Sequence, residues 1–414
     1  MNYNNIINKL FEAPVRYMVR WWILIPFIIL ITISLITLKF TSIDMPFIYS
    51  TFIRQVIFII IGFIIFFLSQ WLRVQFFQEY AYHLYFLLLL LIGITYFMPS
   101  IGGSNRWILF GNISFQPSEM GKLILVFVLA RILSEYKENM NEVKLLVLAI
   151  ILVIIPSIMI FQQPDFGTAI VYTFIVIPML YWSGIRSFYL FMTFAPIVSI
   201  VSAFNIIFFS IWMILLVLIL YIIKSKVIIS VSNFLVNILF GILSPYIWNN
   251  VLYPHQRGRI LTLFNPMQDP HGAGYQVIQS IIAIGSGGLW GKGAGEGTQT
   301  QLRYLPVRDT DFIISVIAEE WGLFGIIIIL LSFYLLLYWI IIYAGTISNQ
   351  FSSLTLVGFG SIIFIHLIVN MGMAVGLLPV TGLPAPFLSY GGSFLLTCII
   401  ILGFINNIVN YYIK

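Results

Sequence analysis

The chain has 414 residues, of which 61% are hydrophobic and only 8% charged, with a formal net charge of +6; soluble proteins run near about 45–50% apolar and about 25% charged. That composition excludes a soluble globular enzyme and a basic nucleic-acid-binding domain, and no long polar segment separates the apolar blocks. Residues 1–414 therefore read as one transmembrane domain of an all-α polytopic membrane protein.

The start, MNYNNIINKLFEAPVRYMVRWW, is basic and amphipathic, and the apolar run behind it is long with no small-residue cleavage site. It predicts an anchored first span rather than a removed signal. A span needs about 20 mostly apolar residues. Such runs lie near 22–40, 52–72, 82–98, 119–136, 144–161, 167–183, 187–203, 205–223, 227–247, 312–343, 355–377 and 391–411, which predicts about twelve transmembrane helices. With the N-terminus cytoplasmic, Lys9, Arg16, Arg20, Arg73, Arg131, Lys137, Lys144, Arg186, Lys224, Lys226 and Lys414 collect on the inner side, as the positive-inside rule asks. The loops 99–118, 248–311 and 378–390 then face outward. Arg106, Arg257, Arg259, Lys292, Arg303 and Arg308 sit in them on the disfavoured side, which points to a bound anion. The single cysteine, Cys398, lies in the last apolar run, so no intrachain disulfide is possible.

Acids near apolar runs are functional candidates, because a carboxylate at the bilayer centre costs roughly 2.5–3.5 kcal/mol. In QPSEMGK, Glu119 and Lys122 stand at i and i+3 and can pair. Asp309 and Asp311 precede the run FIISVIAEEWGLFG, where either can cap a helix. Glu319 and Glu320 lie within that run and read as a buried polar network.

The stretch NPMQDPHGAGYQVIQSIIAIGSGGLWGKGAGEG, 265–297, concentrates glycines at 285, 287, 288, 291, 293, 295 and 297. Glycines permit positive φ and close backbone approach, so successive N–H groups are expected to form a nest for an anion. The spacing is neither that of a P-loop nor of a dinucleotide fingerprint. Within it YQVIQSIIAIG is too short to span and predicts a re-entrant or interfacial half-helix. The four histidines are far apart without metal-ligand spacing, and no histidine near Ser118 or Ser389 suggests a hydrolase triad.

GGSNRWI, FQPSEMGK, QQPDFGTAI, DPHGAGYQVIQSIIAIGSGGLWGKG, GTQTQLRYLPVRDTDFIISVIAEEWGLFG and GLLPVTGLPAPFLSYGGS closely resemble, in order, the shape, elongation, division and sporulation (SEDS) family of peptidoglycan glycosyltransferases. PVTG at 379–382 is similar to the elongation branch. The resemblance implies polymerisation of lipid II, a disaccharide peptide on undecaprenyl pyrophosphate, at the outer face of the plasma membrane beside a class B penicillin-binding protein. It places the family's essential loop aspartate on Asp269, matches Arg106 and Trp107 to its RWI element, and matches Glu119 and Lys122 to the acid and lysine of the following helix. A divalent cation, Mg or Mn, is implied without an assignable ligand set; no nucleotide, haem or flavin is.

The chain departs from the family at Asn265, where many relatives carry an earlier aspartate, at Asp309, where histidine is common, and at Trp321 and Phe394. Residues 184–253 leave room for two helices beyond the family's single span, predicting an inserted hairpin within 187–247 ahead of the large catalytic loop 248–311. Joining sugars requires a base for the attacking hydroxyl and positive charge for the departing diphosphate. Asp269 is the candidate for the former, or for holding a cation. Arg106, Lys122, Arg257, Arg259 and Lys292 are candidates for the latter. The alternatives are a lipid II flippase, which needs charge lining a path open to both faces, and a non-catalytic scaffold for the elongation machinery.

Overall fold

The structure is a computed structural model that describes residues 10, 18–43, 46, 49–100, 103–110, 113–135, 140–223, 226–252, 257–258, 261, 267 and 274–412. Asp269, Arg259, Asn265 and most of the amphipathic start lie outside the described residues. In chain order the elements are α1 (Trp21–Thr41), α2 (Thr51–Ser69), α3 (Val74–Thr95), β1 (Ile108–Phe110), β2 (Ile113–Phe115), α4 (Pro117–Glu135), α5 (Glu142–Gln162), α6 (Phe166–Trp182) and α7 (Ser187–Ser202). They continue with α8 (Ile206–Ile222), α9 (Val227–Asn250), α10 (Tyr275–Gly287), α11 (Thr298–Gln301), α12 (Ile313–Thr346), α13 (Gln350–Ala374) and α14 (Gly392–Tyr412).

Every predicted apolar run is a helix, and the half-helix is α10. Among the described residues eight helices are long and apolar enough on their own to cross a membrane. α6, α7 and α8 are shorter apolar helices, and α4 carries Glu119, Lys122, Arg131 and Glu135. Hydropathy places the start of α3 too late. The helix begins at Val74 because Val74, Ala81, Tyr85, Leu88 and Ile92 form one buried face, and α3 packs on α4, so packing extends the helix beyond its most apolar stretch.

α13 is the axis of the bundle. Its most apolar window is 83% buried against 22% for α9, and α4, α6 and α12 all pack on it. Cross-links pair matching helix ends. At the end where α4 begins, Arg308 donates to the Thr41 carbonyl at 2.7 Å, Thr51 to Asp309 at 2.9 Å, and Gln163 to Thr95 at 2.7 Å. At the other end Arg20 donates to Asn410 at 2.9 Å and Trp182 to Ser353 at 2.8 Å.

α12 is broken at Gly322, where φ is 65° and ψ −160°. Beyond the break, 323–346 extends about 36 Å at 1.5 Å per residue, enough to cross a hydrocarbon core of about 30 Å. The first arm, carrying Glu319 and Glu320, is thus set off from the membrane-crossing rod. A break strands backbone groups that lipid cannot satisfy, and the glycine-rich loop supplies the partners. Lys292 and Gly293 donate their amides to the Glu319 and Glu320 carbonyls, both at 3.0 Å, while Leu323 and Phe324 donate to Gly288 and Leu289 at 2.9 and 3.2 Å. This explains the glycines. A Cβ on Gly291, at φ +79°, would stand 2.2 Å from the Glu320 carbonyl oxygen. The expected anion nest is therefore corrected: the amides at Gly291, Lys292 and Gly293 are committed to carbonyls.

α8 and α9 pack on α7 and on each other, and α7 on α6. Met192, Ala195, Leu216 and Leu220 form a small core of their own. Uncharged polar groups stitch it: Ser199 donates to Asn237 at 2.6 Å, Trp212 to Ser199 at 2.8 Å and Asn233 to the Met192 carbonyl at 3.3 Å, the kind of bond that holds helices together where lipid offers no hydrophobic drive.

Candidate functional site

The first turn of α4 sets Glu119 and Lys122 on one face, and the expected pair forms. Lys122 is 0% exposed, and its Nζ donates to both Glu119 carboxylate oxygens at 2.9 Å and lies 2.9 Å from His366 Nε2. His366 Nδ1 faces the Pro384 carbonyl at 3.2 Å. A carbonyl only accepts, so Nδ1 carries the proton and Nε2 accepts from Lys122. The ammonium has three donors, all taken. His366 also stacks on Phe394, centroids 4.3 Å apart. The triad ties α4 to α13 and to the 378–390 loop, which Asn370 holds further by donating to Leu383 at 2.7 Å and to Asp311 at 2.9 Å through their carbonyls.

Beside it, the β1–β2 hairpin, with Ile108 opposite Phe115, carries Arg106 and Trp107 at its start. Arg106 Nη1 lies 3.2 Å from Asp165 Oδ2. Asp165 is buried, caps α6 by accepting from the Thr168 amide at 3.2 Å, and accepts from Gln116 at 2.9 Å. The Arg106 side chain is 35% exposed, so the open part of the guanidinium can meet an anion, while its Nε is buried with no hydrogen-bond partner among the described residues. Its centre lies 5.9 Å from the Trp107 ring.

The third cluster sits on the broken arm of α12. Glu319 accepts from Lys292 Nζ at 2.7 Å, Thr298 Oγ1 at 3.1 Å, the Gln299 amide at 3.0 Å, and the Thr300 amide and hydroxyl at 3.3 and 3.0 Å. Glu319 thus confirms the buried network expected of it. Glu320, 1% exposed, differs: neither oxygen has a hydrogen-bond partner among the described residues. The capping expected of Asp309 does not form, since α12 begins at Ile313 with Phe312 at the cap. Asp309 instead accepts from Thr51, and its backbone carbonyl accepts from the Tyr390 amide at 2.8 Å.

The structure thus joins Arg106 to Asp165, Glu119 to Lys122 and Lys292 to Glu319. It sets Arg257 apart, with Nε and Nη2 donating to the Leu252 and Asn249 carbonyls at 3.1 and 2.8 Å, where a cation suits the end of α9. Sequence reading missed Asp165, Gln116 and His366 as partners. Only Asp165 left a signal, as the last acid before a long acid-free stretch. Among the described residues no three His, Cys, Asp or Glu side chains gather to hold a metal ion.

The profile of the FtsW/RodA/SpoVE family, described as cell cycle proteins, matches residues 13–213 and 209–413. The chain belongs to this family. Curated relatives include the peptidoglycan glycosyltransferase MrdB of Escherichia coli K12, 33% identical over 333 residues, which are 80% of this chain and 78% of that protein. Another is the peptidoglycan glycosyltransferase RodA of Treponema pallidum, 30% identical over 354 residues, 78% of this chain and 80% of that one. Among solved structures, a chain of a peptidoglycan synthase complex that coordinates polymerization and crosslinking is 27% identical at TM-score 0.69, covering 96% of this chain and 98% of its own. The rod shape determining protein RodA of Thermus thermophilus shares the fold at 24% identity and TM-score 0.64, covering 97% of this chain and 100% of that one. Membership in the FtsW/RodA/SpoVE family fixes the chain as a polytopic helical membrane protein.

Proposed function

We propose that this chain is a peptidoglycan glycosyltransferase of the elongation type, which joins lipid II units into glycan at the outer face of the plasma membrane beside a class B penicillin-binding protein, with its N-terminus cytoplasmic. The observation that carries the reading is the gathering of buried charge at the end of the bundle where α4 begins: Arg106 with Asp165, Lys122 with Glu119, and Lys292 with Glu319. In this topology that end is the outer one, and Arg106 is partly exposed there. A flippase needs charge along a route open to both faces, and the buried ion pairs lie at one end only among the described residues.

The 4-hydroxyl of an acceptor GlcNAc attacks the anomeric carbon of a MurNAc while the bond to undecaprenyl diphosphate breaks. Asp269 takes the hydroxyl proton, a role worth typically about 10²–10⁴-fold, and Arg106 meets the charge growing on the diphosphate. A single displacement inverts an α-linked donor to a β-linked product. The cation implied by the family finds no ligand cluster among the described residues. Incubating the purified chain with lipid II, with and without the transpeptidase, tests the reading. A glycan ladder is expected, and Asp269→Asn should lower its yield at least a hundredfold; near-normal turnover by that variant removes Asp269 from the chemistry.

A further inference from the structure

Antiparallel α5 and α6 leave a shallow, open groove of 290 Å³ between facing stripes at 154, 157, 158 and 161 and at 166, 169, 170, 173 and 174. Its rim is aromatic, Phe161, Phe166 and Phe174, and its floor is small, Ser157, Ala169 and Thr173. The floor hydroxyls are satisfied locally, Thr173 donating to the Ala169 carbonyl at 2.9 Å and Ser157 to the Val153 carbonyl at 2.7 Å, so the slot presents an apolar surface. Phe161 and Phe166 meet edge to face at 6.2 Å. Phe166 directly follows Asp165, the anchor of Arg106. One end of a lipid-facing slot thus lies one residue from the carboxylate that holds the partly exposed Arg106. From 154 to 161 it runs about 10 Å along the helix, a third of the hydrocarbon thickness.

We propose that this slot holds the first isoprene units of the polyprenyl diphosphate carrier, with the diphosphate turned toward Arg106. Charge complementarity selects the occupant: a neutral lipid would leave Arg106 unused, and a headgroup alone would leave the slot unfilled. Lipid tails are as apolar as the slot, so moving a chain into it yields little hydrophobic gain. The slot acts by shape, fixing the direction in which the chain leaves the diphosphate and hence the orientation of the reacting sugar. The identity of the carrier rests on the glycosyltransferase reading.

The test is photolabelling of the full-length protein in vesicles with an undecaprenyl diphosphate carrying a diazirine on its first isoprene units. Label is expected on peptides covering 154–174, displaced by unlabelled undecaprenyl diphosphate and not by phosphatidylglycerol. Thr173→Phe, at an outward-facing floor position, fills the slot and should abolish that label. Label on other helices, equal displacement by phospholipid, or label that survives Thr173→Phe overturns the proposal. Labelling is read without glycan synthesis. A chain that takes label but makes no glycan refutes the polymerase reading alone, and one that makes glycan without labelling the slot refutes the slot alone.

Discussion

The two ends of the bundle handle charge differently. Where α4 ends, Arg186 and Glu142 pair at 3.2 Å with side chains 75% and 36% exposed, and Arg131 pairs with Glu135 at 3.0 Å near the surface. Where α4 begins, Lys122 and Glu119 pair at 0% and 6% exposure, and Glu319 is sealed at 0% under Lys292. Exposed pairs contribute about 0–1 kcal/mol, whereas removing one partner of a buried pair costs about 3–5 kcal/mol. Only one end is built so that charge is expensive to disturb, and that is the end where the diphosphate is proposed to bind.

Five substitutions sharpen or break this contrast. Lys122→Met strands the Glu119 carboxylate and should destabilise the protein by about 3–5 kcal/mol, seen as a lower Tm in detergent and lost glycan synthesis. Adding Glu119→Gln should recover part of that stability, and strictly additive losses would deny the coupling. Gly291→Ala forces a side chain into positive φ against a carbonyl, costing about 1–3 kcal/mol; proteolysis between 288 and 297 should accelerate. Asp165→Asn removes the charge that holds Arg106 while keeping its shape, and kcat/KM for lipid II should fall about tenfold with Tm little changed. Arg186→Ala should leave both Tm and synthesis within about 0.5 kcal/mol of the parent, and a large effect there would erase the distinction between the ends.

Much of the architecture was legible because hydropathy is local. Each span, and the short amphipathic α10, needed only neighbouring residues. The Glu119–Lys122 pair was legible for the same reason, being one helical turn apart. His366 as the third member was not, because 244 residues separate it from Lys122 and a lone histidine in an apolar helix gives no sign of its partner. Arg106 stood out by its side of the membrane, yet nothing local to Asp165, its anchor, says which basic group it meets. The glycines were read as ligand-facing because glycine freedom does not say which backbone approaches; the answer lay in Gly322, part of a run that hydropathy passes as one unbroken helix.

The docking of residues 288–293 onto the break sets a rule for how this segment can change. Four amides are matched one for one to carbonyls across the seam, so substitutions of side chains that take no part in these bonds, as at Trp290 stacked on Phe324 at 4.6 Å, alter contacts but keep the alignment. Deleting or inserting a single residue slides every partner by one position and leaves the arm ahead of the rod unanchored. The segment is therefore permissive in identity and intolerant in length.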